Sequence, residues 1–222
     1  MKKLSLLFLT FAIALSAFSQ VRVGLRIAPD ISMNRVKDLS NTDGASFSNN
    51  SSGVRLTLGP TIDFHMGPNF SFATGLWYTS NRAGLTMSNP SFTQKEVVSL
   101  QTIQVPLTFK AYTNEIATNM KIYFQLGGMA NIIFNEKFVK SSDPAINSSS
   151  YNKKYSFFDF SLYMGTGVTY KIGNSNELFA GIYYNRGLLN MLLNKNDGFG
   201  NTYNKAAKYN VDQLGIEAGI RF

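Results

Sequence analysis

From residue 21 onward the chain alternates apolar and polar residues with period two, and the apolar face is nearly free of charge. Val21, Val23, Leu25 and Ile27 alternate with Arg22, Gly24 and Arg26. Val54, Leu56, Leu58, Ile62 and Phe64 alternate with Arg55, Thr57, Gly59, Thr61 and Asp63. Ile103, Val105, Leu107 and Phe109 interleave with Thr102, Gln104, Thr108 and Lys110, and the pattern returns in Phe158 to Tyr170. Successive side chains on a strand point to opposite faces, so each segment is a strand with one apolar and one polar face. The spacing predicts strands at roughly 21–32, 53–66, 69–83, 100–112, 119–135, 155–171, 177–190 and 210–222.

The connections between these strands alternate in length. Met66-Gly67-Pro68-Asn69, the segment around Asn114 to Thr118, and Gly173-Asn174-Ser175-Asn176 are short and rich in turn residues. The segments 33–52, 84–99, 136–154 and 193–209 are long and rich in Ser, Asn, Asp and Gly. Alternating long and short links between antiparallel strands are the signature of an up-and-down barrel in an outer membrane. The expected architecture is therefore all-β, an eight-stranded antiparallel up-and-down transmembrane β-barrel, with both termini at the short-turn end.

Alternation alone does not say which face points outward. A secreted lipocalin-like barrel would hide the apolar face; a membrane barrel turns it to lipid. Charged residues are only 15% of the chain, against about 25% in soluble domains, and the apolar face is nearly free of them. The polar face instead carries Arg22, Arg26, Arg55, Lys110, Lys121, Lys171 and Arg221 together with Asp63, Asp159 and Glu217. Inside a narrow lumen these groups can pair and offset their desolvation. Eight strands enclose a space that side chains fill, so a filled lumen is expected rather than an open pore. Phe64, Phe70, Tyr78, Phe109, Tyr112, Tyr170 and Tyr183 near strand ends suggest interfacial girdles. The apolar parity slips around Asn185-Arg186-Gly187, which predicts a bulge or an early exit from the membrane. Pro106, inside a strand but unable to donate a ladder hydrogen bond, predicts a local bulge, or a kink that shapes the lumen or a partner-binding edge.

The N-terminus reads as an export signal. Lys2 and Lys3 precede the apolar run Leu4 to Leu15, and Ala17-Phe18-Ser19 offers a cleavage site after Ser19. Residues 1–19 are thus expected to be a signal peptide and residues 20–222 the barrel domain. At the other end Leu214, Ile216, Ile220 and Phe222 share one face of a strand that finishes on an aromatic residue, which looks like the assembly signal of outer-membrane barrels.

The first strand Val21 to Ile27, the segment Ile103-Gln104-Val105-Pro106-Leu107-Thr108-Phe109-Lys110, and the closing Gly215-Ile216-Glu217-Ala218-Gly219-Ile220-Arg221-Phe222 resemble the PorT-like outer-membrane β-barrel family. This family comprises small eight-stranded barrels similar in form to OmpA and OmpX. The resemblance spans the chain after its signal and implies an integral barrel of a Gram-negative outer membrane. Some members are implicated in type IX protein secretion, which makes a structural or partner-binding role, accessory to secretion, the leading expectation. A small porin-like channel or ligand-binding barrel with a basic lumen is the alternative.

Several chemistries are absent from the sequence. With no Cys and one His, neither a thiolate zinc site nor a multi-histidine metal site can be built. A Ser–His hydrolase would have to use His65, placed beside the Met66-Gly67-Pro68 turn and far from the outer leaflet. Gly165-Thr166-Gly167 lies inside an alternating strand with no helix following, so it is not a phosphate loop. No catalytic residues, cofactor or metal are expected. The expected partners are outer-membrane lipid and lipopolysaccharide, the barrel-assembly machinery during insertion, and other envelope or secretion proteins, but not nucleic acid.

Overall fold

The computed structural model describes residues 21–38, 46–50, 53–88, 93–142, 153–173, 176–193 and 207–222. The predicted signal peptide at 1–19 lies outside them, as do parts of the predicted loops 33–52, 84–99, 136–154 and 193–209. The strands are β1 (Val21–Ser32), β2 (Arg35–Asp38), β3 (Ser46–Asn49), β4 (Val54–His65), β5 (Phe70–Gly75), β6 (Trp77–Ser88), β7 (Thr93–Tyr112), β8 (Met120–Ser141), β9 (Phe158–Ile172), β10 (Asn176–Gly187), β11 (Ala207–Asn210) and β12 (Asp212–Arg221). All pairings are antiparallel. They run β1, β4, β5 with β6, β7, β8, β9, β10 and β12, and β12 returns to β1 from Gly24↔Arg221 to Ser32↔Gln213. β5 and β6 act as one stave, so the ring has eight.

The apolar face is outside. Leu25 is 59% exposed, whereas its neighbour Arg26 is 4% exposed. The same inversion recurs at Leu58, Phe109, Phe124, Leu126, Ile182 and Ile216, all exposed, against buried Thr57, Lys110, Gln125 and Glu217. This is the arrangement of a barrel solvated by hydrocarbon. Of the expected girdle aromatics, Phe70, Tyr78, Phe109 and Tyr170 are exposed on the outside, and Phe64 is half-buried. Tyr112 and Tyr183 instead fill the interior, because they occupy the inward parity of β7 and β10.

Three local expectations change. The segment 84–99, expected to be a loop, is for its described part a hairpin in which β6 and β7 pair out to Ser88↔Thr93. β8 likewise runs on to Ser141. Their polar composition hid inward-facing Leu85 and Val98, which are buried with Leu100 in an apolar cluster that holds these extensions together. Pro106 causes no bulge. It pairs with Met129 in unbroken register, and it falls opposite the Gly75–Leu76 break between the pairs Leu107↔Thr74 and Gln104↔Trp77. A missing N–H thus shows as a gap between β5 and β6 rather than as a shift. β10 continues in register with β9 and β12 through Arg186, so the expected bulge is absent, and the strand ends at Gly187, short of the expected 190. The register shifts lie instead in the β7–β8 pair, at Val97/Val98 and Gln101/Thr102.

The interior is layered. Tyr112, Tyr123 and Phe179 pack together at the short-turn end, near the positive-φ turn residue Gly67 (φ 101°) and Asn119 (φ 64°). Charged and aromatic groups occupy the middle. At the opposite end Phe47, Leu85, Val98, Leu100, Tyr155, Met191, Leu192 and Tyr209 form an apolar plug, to which β11, paired with β2, contributes Ala207 and Tyr209.

Candidate functional site

The lumen is the chemically distinctive region. Nearest the short-turn end, Arg221 is fully buried and bridges two carboxylates: Nε lies 2.8 Å from Asp63 and Nη1 donates to Glu177 at 2.5 Å. Asp63 also accepts from Lys110 Nζ at 2.7 Å, and Glu177 from Arg22 Nη1 at 2.9 Å. One level further in, Arg26 Nε donates to Glu217 Oε2 at 2.7 Å, and its guanidinium lies between the rings of Trp77 (3.9 Å) and Tyr183 (4.6 Å). Such sandwiching suits the weakly hydrated, planar guanidinium. Tyr123, Tyr163 and Gln125 all donate to Glu217, so this buried carboxylate has its acceptor sites filled.

Glycines shape this layer through close approach. Glu217 pairs with Gly181, Gly181 with Gly167, and Gly167 with Tyr123, forming one inward-facing row across four staves. A Cβ on Gly167 or Gly181 would stand 2.6 or 2.5 Å from the Tyr123 hydroxyl. The two glycines therefore open the lane along which Tyr123 reaches Glu217.

Above the ionic layer lies a belt of amides. Arg55 donates to Ser32, to Asn81 Oδ1 at 2.9 Å and to the Arg82 carbonyl at 3.1 Å. Gln213 links Asn81, Asn185 and Gln104, and Gln104 continues to Asn131. Asp159 accepts from Asn131 at 3.4 Å and from the Leu189 N–H at 3.3 Å. Two internal cavities, one in this belt and one beside Arg26, measure about 10 Å³ each, space for roughly one water molecule.

The structure brings Arg22, Arg26, Arg55, Asp63, Lys110, Asp159, Glu217 and Arg221 to the lumen. Lys121 and Lys171 stand at the short-turn rim, half-buried, where Lys121 donates to the Pro68 carbonyl at 3.1 Å. Neither is in the ion pairs among the described residues. Four buried carboxylates escaped the sequence reading: Glu96 and Asp212, which pair with Lys154 and Arg35, and two in the ring itself. Asp30 accepts from Thr57 at 2.9 Å, and Glu177 carries the double contact above. Both share the inward parity of their strands, Asp30 with Arg22 and Arg26, Glu177 with Tyr183, and that parity could have revealed them. With Asp30 and Glu177 added, the lumenal cations Arg22, Arg26, Arg55, Lys110 and Arg221 equal in number the carboxylates Asp30, Asp63, Asp159, Glu177 and Glu217, and all of these cations but Arg55 form ion pairs. The lumen is charge-balanced rather than basic.

His65 lies at the short-turn rim, its ring stacked 6.0 Å from Tyr112. The adjacent Asp63 is engaged by Lys110 and Arg221, so no His–acid relay forms. At the C-terminus Leu214, Ile216 and Phe222 are exposed on the outer face and Ile220 is half-buried on the same face. The Phe222 N–H donates to the Val23 carbonyl at 2.9 Å.

Comparison with known proteins agrees with this architecture. No curated protein matches the sequence. Neisserial surface protein A from Neisseria is 15% identical in sequence; the match covers 90% of this chain and 95% of that one with a TM-score of 0.53. The outer membrane protein OprG from Pseudomonas aeruginosa is 12% identical over 90% of this chain and 95% of that one, with a TM-score of 0.59. At such identities the likeness is one of fold. The family model described as outer membrane protein beta-barrel domain matches residues 16–193. The inverted barrel described above is thus that of a Gram-negative outer-membrane protein, and the chain belongs to the outer membrane protein β-barrel domain family.

Proposed function

We propose that the protein is a non-enzymatic barrel with a structural or partner-binding role, of the PorT-like kind and accessory to protein secretion of the type IX class. The observation that carries this reading is the occupied lumen. Paired charges, an amide belt and an apolar plug follow one another along the axis, and the two cavities among them have room for about one water each. A barrel of this kind offers partners its rims rather than its interior. The long-connection end presents the β2–β11 ribbon and β3; the other end presents the short turns. Residues 1–19 direct export and are removed. Leu214, Ile216, Ile220 and Phe222 present the outward face of the last strand to the barrel-assembly machinery.

The charge balance speaks against the alternative of a porin-like channel or ligand-binding barrel with a basic lumen, since Asp63, Glu177 and Glu217 neutralise the cations that would draw anions in. Planar bilayers with the purified barrel test the reading: no steady single-channel current is expected in potassium chloride, and a stable anion-selective conductance would overturn it. A mild-detergent extract run on a native gel should place the barrel in a species far larger than one chain. A lone barrel in its micelle would remove the partner-binding role.

A further inference from the structure

A single bulge sets the charge of one patch of the outer wall. In the β7–β8 pair, Thr102 faces Ile133 and Gln101 faces Asn135, so Phe134 is an extra residue. Below it the even-numbered side chains of β8 face out, among them Phe124, Leu126, Ile132 and Phe134. Above it, as far as the second shift at Val97/Val98, the parity is exchanged, because one inserted residue turns the side chains that follow to the other face. Lys137 is turned outward. Glu136, which unbroken alternation would have put outside, is turned in to accept the Lys154 and Tyr155 N–H groups.

The outward rows rise in order. Tyr78, Ile103 and Ile132 form one row, with the Tyr78 and Phe134 rings 6.3 Å apart. Ser80, Gln101 and Asn135 form the next, where Asn135 donates to Gln101 at 2.8 Å. Arg82, Ser99 and Lys137 form the third, with Ser99 Oγ 2.9 Å from Ser80 Oγ. Apolar and aromatic, then amide and hydroxyl, then cationic is the polarity sequence met when leaving hydrocarbon through the interface. Arg82 and Lys137 are exposed, enter no ion pair among the described residues, and stand two strand spacings apart, about 10 Å. Arg55 anchors the Arg82 carbonyl from inside the barrel.

We propose that Arg82 and Lys137, with the Ser99 hydroxyl between them and the Ser80 hydroxyl in the row below, form a site on the lipid-facing wall for the phosphate of an outer-leaflet lipid headgroup. The acyl chains of that lipid lie against Tyr78, Ile103 and Phe134. Arg supplies a planar fork and Lys a point charge for phosphate oxygens. The inference rests on membership of the outer-membrane family and is independent of any secretion role.

The test uses the full barrel reconstituted in phosphatidylcholine nanodiscs doped with diphosphoryl lipid A, with lipid retained on the released protein read by native mass spectrometry. The wild-type barrel should retain diphosphoryl lipid A. Arg82→Gln with Lys137→Gln should weaken retention about tenfold, as expected for the loss of two charge-assisted contacts at an interface. Lys37→Gln with Lys208→Gln, which removes equal charge from the β2–β11 ribbon, should not. Equal retention by both double variants and the wild type would overturn the site. So would equal loss in both, which would mean diffuse attraction, or full competition by inorganic phosphate at the lipid's own concentration. A heat-dependent gel shift retained in every variant shows that the barrel itself is intact, which separates failure of the site from failure of the fold.

Discussion

The Tyr123 hydroxyl donates to Glu217 Oε1 at 2.7 Å across two intervening staves, passing over Gly167 and Gly181. Two residues distant in sequence thus meet because two others have no side chain. Gly167→Ala should force Tyr123 off its carboxylate, since the new Cβ would lie 2.6 Å from the hydroxyl and 2.2 Å from the Ala180 carbonyl oxygen. Overpacking of this kind costs about 1–3 kcal/mol. Urea unfolding in lipid vesicles should show it, and Gly53→Ala, where a Cβ meets nothing within 4 Å, should be near neutral.

Glu217→Ala should be more damaging than removal of the whole pair. It leaves the Arg26 guanidinium, between Trp77 and Tyr183, without its carboxylate, and stranding a buried charge costs about 3–5 kcal/mol. Arg26→Met with Glu217→Leu should recover most of that loss in the same unfolding assay. If the double variant is as unstable as the single one, the ion pair is not what Arg26 requires.

Tyr209 seals the plug. Its hydroxyl accepts the Gly84 N–H at 3.1 Å, and its ring meets Tyr155 edge-on at 5.4 Å. Tyr209→Phe should leave that buried N–H without its partner at a cost of about 1–3 kcal/mol. Amide exchange at Gly84 should quicken while exchange at Gly24, deep in the ring, stays slow. Equal exchange at both would show that the plug has no local stability of its own.

Deletion of Phe222 should separate folding from assembly. Its side chain is exposed, and its backbone N–H donates to the Val23 carbonyl. Refolding into detergent, followed by the heat-dependent gel shift, should proceed as for the full chain. Insertion into outer membranes in cells should fall severalfold, and unchanged insertion would remove the assembly role of the terminal residue.

The inversion of the barrel was legible in the sequence because it is a period-two property. The alternation of Val21 to Ile27 and of Ile103 to Lys110 needs no partner to be seen, and the sparse charge of one face marks it for lipid. Strand limits were legible where a turn residue such as Gly67 stops the pattern, and illegible where polar extensions such as 84–88 are held by contacts made elsewhere. The Pro106 gap and the unbroken run of β10 to Gly187 depend on what the neighbouring strand offers, which no single segment carries.

Alternation in the sequence by itself determined which residues share a face, and so gathered Arg26, Lys110, Glu217 and Arg221 inside. Only the tertiary structure decided who pairs with whom, because the partners lie on different staves and are matched by register. It also decided the exceptions to parity. One extra residue at Phe134 exchanges Glu136 for Lys137 on the outer wall, and a bulge is a property of two strands read against each other.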